Sequence, residues 1–532
     1  GAFAGVRSVG SIHRYHDCRG VAHADTGDGS APARGDSQEY QFGSPGNGTA
    51  VQYGPGHGVQ RGATVPDGPG GHSPCQQRDE RVPEIHNADY TYRLERTEGT
   101  AARPRSPIFP ERQAMRVLLL QSPTGREEPE IFPLGLAFLA GGLKGHRVRA
   151  LDLAVESRPE AALRRELASF EPDVAAVSLR NIDDSAYPIT HSYVAPFTDM
   201  MGWLEGYSGT VIAGGSGFSI YPRRILSAHP RIDLGVVGEA EYALPEVLRR
   251  LESGELPRRA DAGCDRLYDG THSALDSIAP PRYDILDLSL YPADYSIGVQ
   301  SRRGCPFGCR YCTYGYLGGR SFRMRPVEDV VSDISSLVEL GVGSFSFVDS
   351  VFNHPADYMR RLLGRLEVLP VRLRWSAWLD TDIDVEDLER MRRAGCDKVD
   401  FSPDALTRRG LRMLGKRGSF GDTLQAVRRA RGLDMTVTVN LFQGNPGEEG
   451  LPSLLAKLAF MAWVRLWLGW SRTVVHIGTI RVYAHSRMAD DFTASGRVPE
   501  GCDFYRPVFR RSRGPADLLY RFFQWLRRRR HG

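Results

Sequence analysis

Three thiols fall within eight residues in the stretch Ser301-Arg302-Arg303-Gly304-Cys305-Pro306-Phe307-Gly308-Cys309-Arg310-Tyr311-Cys312. Packing gives no reason for such a cluster. A C-x3-C-x2-C run sets three thiolates on one tight loop, where they can bind three corners of a cubane iron-sulfur cluster and leave the fourth iron without a protein ligand. That open iron is the reactive one. A structural zinc site would need four closed ligands, usually as two pairs at short spacing. No fourth ligand lies nearby: Cys264 is far upstream, Cys396 far downstream, and the next His is His354.

The rest of the composition narrows the class. Eight Cys in 532 residues, with no apolar leader and no regular framework spacing, point to thiols that serve metals or catalysis in a reducing cytoplasm rather than to disulfides. The net charge of +4 is small for this length, and Lys144, Lys398, Lys416 and Lys457 are the whole of the lysine content, so no nucleic-acid face is implied. The most apolar segment, 454–470, is broken by Lys457 and Arg465 and falls short of the roughly 18 apolar residues of a spanning helix. It reads as a barrel helix.

The elements that must position the loop follow in order. Residues 1–114 are rich in Gly, Pro, Ser, Asp and His without an apolar period, which predicts a disordered or spurious leader; the first Met, Met115, opens directly into a strand. From 115 to 255, short apolar strands at 117–120, 148–153, 174–179, 210–213 and 234–237 alternate with helical segments, the pattern of a parallel sheet covered on both faces. Ligands of such sheets bind beyond the carboxyl ends of the strands. A proline-marked linker, 256–292, leads to a second domain, 293–487, with six strand-and-helix units beginning at 296–300, 344–348, 373–378, 398–401, 436–442 and 474–482. The cysteine loop follows the first of these. Residues 488–532 are expected to form a helical extension whose apolar end precedes Arg527 to Arg530, and they read as a helix closing the barrel mouth in preference to a membrane-binding one.

The cysteine spacing, with Tyr311 at the aromatic position before the third Cys, resembles the radical S-adenosylmethionine (radical SAM) enzymes, in which the free iron chelates the methionine part of the cofactor. The series Pro133-Leu134-Gly135-Leu136, Leu151-Asp152-Leu153, Gly214-Gly215 and Val237-Gly238-Glu239, set before that loop, looks like the cobalamin-binding domain of the cobalamin-dependent members. This likeness covers nearly all of 115–490. It implies an α/β fold, a doubly wound Rossmann-like cobalamin-binding domain followed by a partial (β/α)6 TIM-type radical SAM barrel. It implies a [4Fe-4S] cluster on Cys305, Cys309 and Cys312, with S-adenosylmethionine and cobalamin as further cofactors. Residue by residue, it assigns cobalamin to Ser122, Arg180, Asn181, Gly214, Gly215, Gly238 and Glu239. Asp349 and Ser350 stand where many relatives carry a Gly-Gly-Glu element for the methionine amino group, and Ser402 and Asp404 where relatives bind ribose or carboxylate. Gly444 and Gly447 resemble the turn that lays backbone on adenine, although turn formation alone explains such glycines. Arg481 matches an Arg-hydrophobe-Tyr pattern, and a buried Arg requires an acid partner or an anionic ligand. Arg320, Arg323 and Arg325 read as solvated. The Asp-x-His-x-x-Gly motif that gives cobalt a lower His ligand elsewhere is missing, so cobalamin is expected without a protein His. His191 is the residue whose loop could fold beneath the corrin.

The function implied is methyl transfer to an unactivated carbon, or phosphorus, of a specialised-metabolite intermediate. A hydrogen abstracted by a 5'-deoxyadenosyl radical would leave a substrate radical to receive the methyl group, a route that an electrophilic methyl donor alone does not provide. The alternatives are cyclisation or ring rearrangement on the same cofactors, methylation by polar steps, and, in a different class, a non-enzymatic iron-sulfur redox sensor. The expected partners are a small-molecule substrate and an electron donor such as flavodoxin or ferredoxin, with neither nucleic acid nor membrane.

Overall fold

The computed structural model describes residues 114–125, 131–256, 266–270, 274–275, 277–469 and 472–531. The expected leader lies, but for Ala114, outside them. The first sheet is built from β1 (Arg116–Gln121), β2 (Arg147–Asp152), β3 (Val174–Ser178), β4 (Thr210–Gly214), β5 (Leu234–Gly238) and β6 (Leu267–Gly270), in the order β2-β1-β3-β4-β5-β6 and parallel throughout. Alternation within β1 assigns its residues to two cores. Val117 and Leu119 join a core under α1 (Leu134–Gly142) and α6 (Ala240–Glu252). Leu118 and Leu120 join one formed with α2 (Pro159–Phe170), α3 (Val194–Trp203), the short α4 (Ser216–Ile220) and α5 (Pro222–Ala228). Each large side chain so buried contributes about 1.5–3 kcal/mol.

Strand β6 lies within the segment expected to be a linker. It is an edge strand of four residues, Leu-Tyr-Asp-Gly, whose short mixed pattern hides it from a reading of apolar runs.

The second sheet runs β7 (Gly298–Val299), β10 (Phe345–Phe347), β11 (Trp375–Leu379), β12 (Cys396–Asp404), β13 (Thr436–Gln443) and β14 (Thr473–Val482), all parallel and in that spatial order, with β15 (Val508–Arg510) antiparallel at the far edge. These are the six expected units plus one strand from the C-terminal extension. A small antiparallel ribbon, β8 (Arg302–Arg303) with β9 (Arg323–Met324), brackets the cysteine loop and the one-turn helix α7 (Tyr314–Leu317). Outward-facing residues such as Trp375, Val399, Phe401, Val437 and Val475 pack beneath α8 (Val327–Glu339), α9 (Ala356–Leu366), α10 (Val385–Arg393), α12 (Phe420–Gly432) and α13 (Leu451–Leu468). The short α11 (Arg408–Leu414) lies between β12 and α12.

After β14 come α14 (Arg487–Ala494) and α15 (Pro515–His531). The latter packs through Ala516 and Tyr520 against Leu454 of α13, and the Tyr520 hydroxyl donates to the Ile477 carbonyl at 2.9 Å. Among the described residues, no helix is long and apolar enough to cross a membrane.

Candidate functional site

The sheet order reverses between β1 and β3, and an open α/β sheet binds its ligand at that point. A cavity of about 730 Å³ lies there. Gln121, Ser178, Arg180, Asn181, Gly214, Gly215 and Gly238 wall it from the first sheet, and Gln300, Gly304, Thr313, Tyr314 and Ser350 from the barrel. Leu134, Leu136 and Phe138 add an apolar side. Two glycines shape the floor. Gly215 has φ +97°, and a Cβ on it would come within 2.7 Å of the Leu179 carbonyl oxygen; one on Gly217 would come within 2.8 Å of the Asn181 carbonyl carbon. The chain after β3 is thereby pressed onto the chain after β4, which leaves Arg180 and Asn181 exposed at the cavity.

Among the described residues, no histidine lines this cavity. His191 instead uses Nε2 on the Thr124 carbonyl at 2.8 Å. Ser122 is buried beside a small side pocket, with its N–H on the Ser178 carbonyl at 3.1 Å, and does not face the main cavity. Glu239 lines the wall, but its carboxylate accepts from Arg323 and pairs with Arg303 at 3.2 Å, while Glu241 holds Arg303 at 2.5 Å. Glu239 thus joins the first domain to the ribbon beside the cysteine loop. Arg323 and Arg325 are accordingly not solvated: the first is paired with Glu239, and the second is buried against Asp333.

The cysteine loop is pinned on every side. Cys305 N–H donates to the Gly319 carbonyl at 3.0 Å, Arg310 N–H to Leu414 at 2.9 Å, and the Ser350 hydroxyl to the Gly304 carbonyl at 2.8 Å. Gly304 adopts φ +77° where a Cβ would come within 2.1 Å of the Ser321 carbonyl oxygen, so no other residue fits the loop's entry. The three thiols are half-buried and unbridged. Burial pushes the Cys312 thiol up to about 11, with the charges of Cys309 and Cys305 adding to the shift. Burial likewise raises Cys309, while the Lys416 ammonium opposes it. Among the described residues no three His, Cys, Asp or Glu side chains gather closely enough to hold one metal ion.

The remaining candidates brace the loop. Tyr311 donates to Asp404 at 2.5 Å, and Lys416 reaches the same carboxylate at 2.7 Å and the Ser402 carbonyl at 2.8 Å. Asp404 is buried with φ +65°. Asp349 accepts from the Ser301 N–H at 2.8 Å and hydroxyl at 2.5 Å and from the Arg302 N–H at 3.2 Å, with the Arg302 guanidinium beside it. Its oxygens are therefore committed to the strand entering the loop. Gly444, at φ +72°, lies against the backbone of Arg511 and Ser512, and Gly447 against Arg409 and Met413, so close packing of the turn already calls for both glycines. Arg481 finds an acid partner in Asp183, at 3.0 Å, and spends its remaining N–H groups on the Val482, Phe504 and Tyr505 carbonyls.

The sequence reading missed Tyr314 and Tyr483 on the cavity wall, and the inner face of the barrel, where Ser376, Trp378, Asp400, Thr438 and Asn440 alternate with the outward apolar residues. That alternation was the available signal. Burial raises Asp400, with Lys398 at 3.8 Å opposing the shift.

The sequence matches the B12 binding domain over residues 126–248 and the Radical SAM superfamily over residues 299–449, the two regions that face each other across the cavity. It is 24% identical over 355 residues to an uncharacterized methyltransferase of Pyrococcus horikoshii, covering 63% of this chain and 75% of the relative. It is 27% identical over 331 residues to the hopanoid C-3 methylase of Methylococcus capsulatus, covering 58% and 60%. In fold it is similar to the radical SAM methyltransferase TsrM of Kitasatospora setae, solved with tryptophan substrate and a SAM analogue, at 21% identity, TM-score 0.62, and 72% and 76% coverage. The paired domains define a cobalamin-dependent radical SAM enzyme. Relatives named as methyltransferases share this pair of domains with the chain. The redox-sensor alternative gives way to an enzyme.

Proposed function

We propose that the protein transfers a methyl group to an unactivated carbon, or a phosphorus, of a small-molecule intermediate. The observation that carries this reading is the single cavity walled by both matched domains: Arg180, Asn181 and Gly214 face Thr313 and Tyr314, which follow the third thiol directly. When bound, cluster, S-adenosylmethionine and cobalamin supply the electron and the transferable methyl group. The chain's part is to position them and exclude water. Gly215 and Gly217 let the corrin-sized space open over the strand ends, while Tyr311, Asp404 and Lys416 hold the loop in register with the barrel. Cys305, Cys309 and Cys312 would hold the iron, and a one-electron donor of the flavodoxin or ferredoxin type would reduce it in a reducing cytoplasm. The names of the relatives, a hopanoid methylase among them, support methylation over cyclisation.

The test is mass analysis after anaerobic incubation with reductant, S-adenosylmethionine and candidate substrates. Both S-adenosylhomocysteine and 5'-deoxyadenosine are expected together with a product heavier by one methylene. The first nucleoside alone would assign polar methylation, and 5'-deoxyadenosine without a methylated product would overturn the proposal.

A further inference from the structure

Helix α13 buries Leu454, Phe460 and Val464 against the barrel and is apolar on its outer face as well. Its exposed positions, Leu451, Pro452, Leu455, Ala456, Ala459, Ala462, Trp463 and Leu466, recur at the spacing of one helical face, and not one is polar. Leu455 is 50% and Leu466 77% exposed. Its lysine is turned inward instead, with Lys457 buried and bonded to Glu448 at 2.6 Å. The neighbouring α15 repeats the theme, exposing Leu518 (66%), Phe522, Phe523, Trp525 and Leu526. The two helices join through Leu454, Leu458, Leu519 and Tyr520, so the apolar surfaces belong to one structural unit. Exposed apolar side chains in this number on two packed helices mark an interaction site.

The surrounding charge names the occupant. Trp463 and Trp467 stack at 5.5 Å at one end of α13, and the exposed guanidinium groups of Arg428 and Arg431 lie 5.8 and 4.4 Å from the Trp467 ring. On α15, Arg521 is exposed, and the sequence of the helix continues as Arg527-Arg528-Arg529-Arg530. Neither helix has an acidic residue at an exposed position. Tryptophan and arginine bordering an apolar face are the residues that meet lipid headgroups, and arginine clusters favour anionic ones. Two copies joined by this face would instead bring like charges together.

We propose that α13 and α15 form a docking face for the surface of an anionic lipid bilayer, on which the protein lies without spanning it. The face is independent of the cofactor cavity, so the proposal stands or falls apart from the reaction assigned above.

The experiment is flotation of the full-length, cobalamin-loaded protein with vesicles of phosphatidylcholine alone or with about one-third phosphatidylglycerol, each at low and high salt. Protein is expected to rise with the anionic vesicles, with about tenfold less on the neutral ones and less again at high salt. The Leu455→Glu/Leu466→Glu variant should lose binding while keeping cobalamin content and thermal midpoint, since both side chains are exposed. Replacing all of Arg527 to Arg530 by Gln should remove the preference for anionic vesicles. Protein left at the bottom with the anionic vesicles would overturn the proposal. So would light scattering that shows a dimer, dissociated by the Leu455→Glu/Leu466→Glu change, in a protein that never floats; that result would give the face to a second copy.

Discussion

Arg481, on the last parallel strand of the barrel, donates from Nε to Asp183 Oδ2 at 3.0 Å across 298 residues of sequence and between two domains. Both side chains are buried. Tyr483 donates to the other oxygen of the same carboxylate at 2.8 Å, and Ser185 is bonded to Tyr483 at 2.7 Å, so one loop of the cobalamin-binding domain is sewn to one strand of the barrel.

Removing one partner of such a pair leaves a buried charge and costs about 3–5 kcal/mol. Arg481→Met should fall at the lower end, because Tyr483 still donates to Asp183. Denaturation of Arg481→Met, Asp183→Asn and the double variant would measure it; the double change should cost less than the sum of the single ones. Additive costs would show that the pair does not couple the domains.

Replacing Cys305, Cys309 and Cys312 together by Ala should abolish the binding of about four iron per chain while leaving cobalamin content unchanged. Iron and cobalamin assays on anaerobically reconstituted protein decide this. Iron retained by the triple variant would remove the cluster from the loop.

Gly215→Ala should do the reverse. A Cβ at φ +97° is strained by about 1–3 kcal/mol, and here it also meets the Leu179 carbonyl at 2.7 Å. Displacement of the Arg180–Asn181 segment should weaken cobalamin binding and spare iron. Gly202→Ala is the control, because a Cβ there meets nothing within 4 Å and replaces Gly inside α3. Equal loss in both variants would deny Gly215 its special place.

Cobalt(II) in the bound cobalamin should give a paramagnetic spectrum without strong nitrogen coupling, since no His lines the cavity and His191 is tied to Thr124. His191→Ala should leave that spectrum unchanged. Coupling present in the parent and absent in the variant would place His191 under the corrin.

His485 links the domains too, stacking on Tyr316 at 3.9 Å and bonding the Ile220 carbonyl at 3.1 Å. Burial lowers its pKa below the ordinary value near 6.5, against the opposing Ile220 bond. Between those two values the unfolded chain binds more protons than the folded one, so stability is full above about pH 6.5 and falls as the pH drops through the window. Denaturant midpoints across that range should slope less in His485→Gln. His229 and His354 are lowered by burial as well and should keep part of the slope.

Both sheets were legible in the sequence, because buried parallel strands need apolar runs and the barrel strands alternate. Strands β6, β8, β9 and β15 were not, since their few residues, polar or charged in part, form neither an apolar run nor a period. The loops that line the cavity could be named from their place after strands. What their side chains would hold could not. Asp349, Glu239 and Arg481 look from their types like ligand contacts, yet each is committed to a partner 47 to 298 residues away. Nothing local in the sequence encodes such a pairing. The apolar outer face of α13 was hidden for a related reason: its composition suggested burial all round, and Lys457 turns inward to a partner in the preceding loop, Glu448.

The cavity's two walls belong to different domains, and those domains are clasped by Glu239 and Glu241 on Arg303 and by Asp183 on Arg481. A molecule bound in that cavity touches both clasped domains, so its binding and their association are coupled. Cobalamin affinity and domain association should then rise and fall together, and because these pairs are buried, added salt should change either one little.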